Sequence, residues 1–190
     1  GLTMLKFALI GAGRIGRMHG SIIEGHTKTE LVWVYDILED NAITTAKTTQ
    51  ARVAKSLDEI FEDDSLDAVL IASSTETHAE LIVRAAKAGK AVFCEKPIDL
   101  DIKRVDWCRE QIQGLQVPVQ IGFNRRFDPS QRKVADTARD GGIGNLEQVI
   151  ITSRDPNPPP KEYYLASGGM FRDMTIHDFD MARYVLNEEV

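Results

Sequence analysis

The sequence predicts an α/β chain, with a doubly wound parallel sheet over residues 4–123 and the beginning of an α+β domain over 124–190. Three observations carry this. Short, almost continuously apolar runs recur at regular intervals, as strands buried on both faces of a parallel sheet require. Between them lie segments with apolar residues at helical spacing, and such alternation calls for helices on both faces joined by right-handed crossovers. After Phe123 the texture changes to arginines, glycine breaks and a proline run.

The elements follow in order. Residues 5–10 form the first strand, with glycines immediately after; 15–24 suit a helix, and LVWVY at 31–35 is a second buried strand ending at Asp36. A helix over 41–50, a short strand at 52–54, a helix at 57–62 and the strand DAVLIA at 67–72 come next. The helix over 78–88 ends where Gly89 offers a left-handed residue, and 91–94, 102–113 and 119–123 complete the pattern as strand, helix and strand. Beyond the boundary a polar turn at 124–129 leads to a helix, a glycine break at 141–144, a strand over 147–153, a rigid proline segment at 156–160 and a last helix over 174–186. Gly1, Leu2 and Thr3 precede Met4, which reads as the start, and take no part in the fold.

Hydrophobic residues make up 43% and charged residues 27% of the 190, an ordinary globular composition. The net charge of -6, with both signs interspersed, gives no electrostatic footprint for nucleic acid or an anionic membrane, so a small-molecule partner is expected. No apolar run approaches the roughly 20 residues that span a bilayer, and no secretion signal opens the chain; a cytoplasmic protein is expected. Cys94 and Cys108 read as free buried thiols without a role. No H-x-x-x-H or C-x-x-C pair occurs, and no metal is expected.

The first strand runs into Gly11-Ala12-Gly13-Arg14-Ile15-Gly16, the G-x-G-x-x-G spacing of a Rossmann dinucleotide site in the required strand–turn–helix context. Gly11 permits the tight turn, Gly13 lets the backbone approach a pyrophosphate, Gly16 lets helix and strand pack closely, and the helix N-terminus offers unpaired amides to the anion. Asp36 ends the second strand twenty residues after Gly16 (36 minus 16), where a carboxylate accepts the ribose hydroxyls and repels a 2′-phosphate. The cofactor is therefore expected to be NAD rather than NADP.

At Glu95-Lys96-Pro97, with Thr77-His78 upstream, the chain resembles the Gfo/Idh/MocA family of oxidoreductases. The resemblance extends over GAGRIGRMH (11–19), AGKAVFCEKP (88–97), GFNRRFDP (122–129) and GGMFRDMTIHDFDMARYV (168–185). It implies a C-terminal domain built on a large, open, mostly antiparallel sheet in a protein of well over 300 residues. This chain of 190 residues is then expected to lack most of that domain and to be catalytically incomplete, with the segment after residue 124 mobile unless covered. SRDPNPPP (153–160) and FRDMTIHDFD (171–180) are most similar to bacterial members acting on inositol. That similarity implies oxidation of myo-inositol to 2-keto-inositol in inositol catabolism, by a full-length homo-oligomer. Another sugar or sugar derivative as substrate, or a non-catalytic NAD-binding module, are the alternatives.

The resemblance also implies roles for residues. Oxidising a secondary alcohol needs a base at the hydroxyl and a charge favouring alkoxide character. His177 matches the base, Asp173 its partner four residues earlier, on one face if helical geometry holds there, and Lys96 the group orienting the substrate oxygen. Arg14, Ile15, Ser74, Thr75, His78, Glu95 and Lys96 join Gly11, Gly13, Gly16 and Asp36 in the cofactor set, while His19 and His78 also read as structural or cofactor-adjacent. Arg125 and Asp155 are the polyol-binding candidates, since vicinal hydroxyls are recognised by paired donors and acceptors. Tyr163 and Tyr164 either close over the ring or pack in their loop. Asp178 and Asp180 are structural, since position 178 points about 100° away from His177. Lys96-Pro97 is expected to be cis, which would turn the chain sharply and aim the lysine into the cleft.

Overall fold

The computed structural model describes residues 3–189; Gly1, Leu2 and Val190, and with them part of the reading of the N-terminal tripeptide, lie outside the described residues. The chain divides into two compact units, Gly1–Gly122 and Phe123–Val190.

In the first unit the elements run β1 (Leu5–Ile10), α1 (Arg14–Gly25), β2 (Thr29–Tyr35), α2 (Glu39–Ala46), β3 (Arg52–Val53), α3 (Leu57–Phe61), β4 (Ala68–Ile71), α4 (His78–Lys87), β5 (Ala91–Cys94), α5 (Ile102–Ile112) and β6 (Val119–Ile121). All six strands pair in parallel in the order β3-β2-β1-β4-β5-β6. This order reverses between β1 and β4, and the crevice beyond the carboxyl ends of strands at such a switch point is where open α/β sheets take their ligands.

The alternating faces of the central strands explain the apolar runs. Ala8, Ile10, Val69 and Ile71 pack with Ile60, Ala79 and Ile82 on one side, while Leu9, Leu31, Val34 and Leu70 pack with Ile23 and Ala42 on the other. The ends are set by local chemistry. Ser56 and Glu59 form a reciprocal capping box on α3, the Asp101 side chain caps α5, and Gly89 closes α4 with the left-handed φ of 74° that the sequence called for. The Lys96–Pro97 bond is cis, as expected.

The second unit holds α6 (Pro129–Arg139), α7 (Lys161–Ala166), α8 (Met170–Asp173) and α9 (Thr175–Leu186), after a 3-10 turn at Asn124–Phe127. Asp128 caps α6 through Oδ1, and Ala135 of α6 packs with Met181 and Val185 of α9. The strand expected over 147–153 does not form, and among the described residues this unit contains no strand. A strand exists by pairing, and with no neighbouring strand Ile150 stays 79% exposed on irregular backbone. The sequence reading also passed over α7 and α8, which are too short for a periodic signal. Among the described residues no helix is long and apolar enough to cross a membrane.

Candidate functional site

The glycine turn after β1 is shaped by close backbone approach. Gly11 has φ 94°, and a Cβ there would overlap the Ser73 amide and the Ala72 carbonyl, so the turn lies directly against the end of β4. A Cβ on Gly16 would overlap the Gly11 carbonyl oxygen directly after β1, so only a glycine lets the helix approach that strand end so closely. Gly13 is exposed and a Cβ there would meet nothing within 4 Å. Its open side, and an α1 N-terminus with no side-chain cap, leave backbone amides available to an anion. Arg14 is exposed and Ile15 half-buried in the first turn of that helix.

Asp36 emerges from β2 beside this turn. Its Oδ2 accepts the Ala12 amide at 2.8 Å and its Oδ1 the Leu38 amide at 2.8 Å. Oδ1 also receives the Asn41 side-chain amide at 3.4 Å, while Oδ2 keeps a further acceptor site for a ribose hydroxyl. Gly11, Gly13 and Asp36 line a cavity of about 560 Å³ whose other walls include Ile37, Ser74 and Arg84. Open backbone, helix amides and a carboxylate converge on one apolar-walled cavity, and this set of groups fits NAD.

The loop after β4 carries Ser74 and Thr75, with Ser74 exposed to the cavity and Thr75 half-buried in a 3-10 turn. Sequence reasoning missed Ser73 and Thr77, which also line the cavity and whose hydroxyls lie 2.7 Å apart. Short polar residues at a strand end were the available signal. His78, expected as structural or cofactor-adjacent, is held from both sides. It is 2% exposed, with Nδ1 2.7 Å from the Pro97 carbonyl and Nε2 2.9 Å from that of Ser73, so both ring nitrogens are engaged by backbone. Glu95 leaves the end of β5 with Oε1 2.6 Å from His19 Nε2, and Lys96 follows, half-buried. Cys94 is buried and free, as is Cys108, and burial pushes both thiols up from their ordinary pKa.

The remaining candidates belong to the second unit. Asp173 is the last residue of α8 and His177 lies in the first turn of α9, with Met174 between the two helices, so no single continuous helix joins them. Tyr163, on α7, donates its hydroxyl to Asp173 Oδ1 at 2.8 Å. The His177 ring meets Phe123 edge-on at 6.4 Å.

Arg125 is partly committed. Its Nη1 donates to Asp178 Oδ1 at 2.8 Å and to Ser153 Oγ at 3.0 Å. Arg126 holds buried Asp180 in a two-pronged pair at 2.8 and 2.6 Å, and this hydrogen bonding pushes the guanidinium pKa further up. Asp178 and Asp180 are thus each engaged by an arginine of the 124–127 turn. Asp155 is exposed on irregular backbone, and Tyr164 is exposed on α7.

Residues 5–123 match an oxidoreductase family with an NAD-binding Rossmann fold, and residues 131–190 match the GFO/IDH/MocA C-terminal domain. The inositol 2-dehydrogenase of Rhizobium meliloti (strain 1021) is 49% identical over 97% of this chain and 56% of its own length. The myo-inositol 2-dehydrogenase of Thermotoga maritima is 44% identical over 98% of this chain and 56% of its own. A crystal structure of a myo-inositol dehydrogenase from Corynebacterium glutamicum superposes with a TM-score of 0.91 at 48% identity, covering 96% of this chain and 55% of that one. The chain spans a little over half the length of the relatives it matches. The dinucleotide domain read from the glycine turn and Asp36 is an NAD-binding domain. With both units matched, the chain belongs to the Gfo/Idh/MocA family of oxidoreductases.

Proposed function

We propose that the chain serves the NAD-dependent oxidation of a secondary alcohol on a cyclic polyol, with myo-inositol converted to 2-keto-inositol. One observation carries this reading. A chain 49% identical to an inositol 2-dehydrogenase holds Lys96, Asp173 and His177 together with a carboxylate-marked dinucleotide cavity.

In this reading NAD, when bound, supplies the hydride acceptor. The turn at Gly11–Gly16 and the α1 amides hold its pyrophosphate, and Asp36 its adenosine ribose. His177 takes the role of the base that removes a hydroxyl proton, and the Lys96 ammonium that of a donor favouring alkoxide character. Asp173, which already accepts the Tyr163 hydroxyl, stabilises the positive charge the imidazole gains. Arg125, with donors beyond the one facing Asp178, and Asp155 bind the other hydroxyls.

The test is a substrate panel of myo-inositol, scyllo-inositol and glucose with NAD and with NADP, run on this chain extended to the length of its relatives and read as nicotinamide reduction. We expect myo-inositol with NAD to give the highest kcat/KM, by about tenfold or more over glucose, the discrimination a single well-formed polar contact supplies. A better rate with glucose or another sugar overturns the substrate assignment. Tight NAD binding with no oxidation of any polyol makes the chain a binding module.

A further inference from the structure

We propose that His19 and His78 are positioning residues for Lys96, each pinning one of the residues that flank it, so that the lysine and the walls of the nucleotide cavity move as one piece. The inference rests on the reading of Lys96 as the group that orients the substrate oxygen. Glu95 still donates its amide to the Ile71 carbonyl at 2.9 Å, and Lys96 and Pro97 follow beyond that last sheet bond of β5. Side-chain bonds from rigid helices are one means of fixing such a corner.

Two helices supply them from two directions. The helix α1, which starts at the glycine turn, carries His19, whose Nε2 lies 2.6 Å from Glu95 Oε1 while its ring meets Phe93 edge-on at 5.5 Å. On the other side of the carboxylate stands Gly122, where a Cβ would lie 3.2 Å from Glu95 Oε2, so the glycine leaves only the room that carboxylate needs. The helix α4 begins with His78, which joins the Pro97 carbonyl to that of Ser73, and Ser73 lines the cavity. His78 thus ties a cavity-lining loop, and His19 the helix that follows the glycine turn, to a neighbour of Lys96. An apolar side chain would fill either space; an imidazole bonded to the Glu95 carboxylate, and another set between two carbonyls, fix direction as well.

Lys96 reactivity tests this without requiring turnover. The whole 190-residue chain is acylated with the N-hydroxysuccinimide ester of acetic acid, and the rate at Lys96 is read by peptide mass spectrometry against Lys103 and Lys133 in the same molecule. Circular dichroism is recorded in parallel. We expect His19→Phe to change the Lys96 rate about threefold or more with the reference lysines unmoved, because a displaced ammonium alters its own environment first. His19→Gln keeps a donor for Glu95 and should stay near wild type. His78→Leu should shift Lys96 in the same manner; should that buried substitution unfold the chain, Gly122→Ala replaces it, displacing Glu95 while leaving both histidines. A folded His19→Phe or Gly122→Ala protein with an unchanged Lys96 rate overturns the proposal. Absence of inositol oxidation by the chain extended to its relatives' length would instead overturn the functional reading and leave this one standing.

Discussion

The Asp36 carboxylate accepts the Ala12 amide at 2.8 Å, tying the end of β2 to the glycine turn that follows β1. The same side chain accepts the Leu38 amide, so one residue both shapes the turn and faces the nucleotide cavity. Asp36→Ala removes the ribose acceptors and the repulsion of a 2′-phosphate together. NAD affinity should fall about tenfold, equivalent to about one charge-assisted hydrogen bond, while NADP affinity falls less or rises. Titration with both cofactors measures the ratio; a wild type that binds NADP as tightly as NAD would sink this assignment.

Asp63 ties the loop between α3 and β4 to the Trp33 indole of β2. Hydrogen bonds from the Ser65 hydroxyl and then the Trp33 indole hold its pKa below the ordinary 3.8, against the opposing effect of burial. A folded-state value below the unfolded one means that its stabilisation is present above pH 3.8 and is lost as pH falls through the lower folded value. Asp63→Asn should therefore lower stability by about 1 kcal/mol at pH 7, and its deficit relative to wild type should shrink below pH 3.8. Urea unfolding followed by tryptophan fluorescence at pH 7, 4 and 3 gives both quantities; a deficit that grows on acidification contradicts the argument.

What the sequence made legible was local. The Gly11–Gly16 turn, Asp36 and the Gly89 cap are fixed by backbone geometry among near neighbours, and the apolar strands advertise burial on both faces. Distant partners escaped it. The engagement of His78 depends on a carbonyl 19 residues away, and the commitment of Arg125 on Asp178, 53 residues away. The run over 147–153 has the composition of a strand, but composition cannot provide the neighbour to which a strand must bond. The break at Met174, which puts Asp173 and His177 on separate helices, has no proline or glycine to announce it.

The helix bearing His177 is held to the 124–127 turn by two ion pairs, and the inner one should dominate its stability. Asp180 is 7% exposed and receives both prongs of Arg126, whose guanidinium also lies 5.1 Å from the Tyr184 ring centre. Removing the arginine strands a buried carboxylate, a loss greater than the net worth of the pair. Because the Arg126 side chain retains 36% exposure, solvent softens the penalty, and Arg126→Ala should cost about 2 to 3 kcal/mol rather than the most that buried pairs show. Arg126→Lys should recover only part, since an ammonium cannot span both oxygens. The double substitution Arg126→Leu with Asp180→Leu should be less damaging than Arg126→Ala alone, because no unpaired charge remains. Hydrogen exchange adds a local readout: amides over 175–186 should exchange faster in Arg126→Ala, while those of β1 and β4 keep their protection. If the single substitution costs no more than an exposed pair, below about 1 kcal/mol, the clamp on the helix of His177 must lie with Arg125 and Asp178 instead.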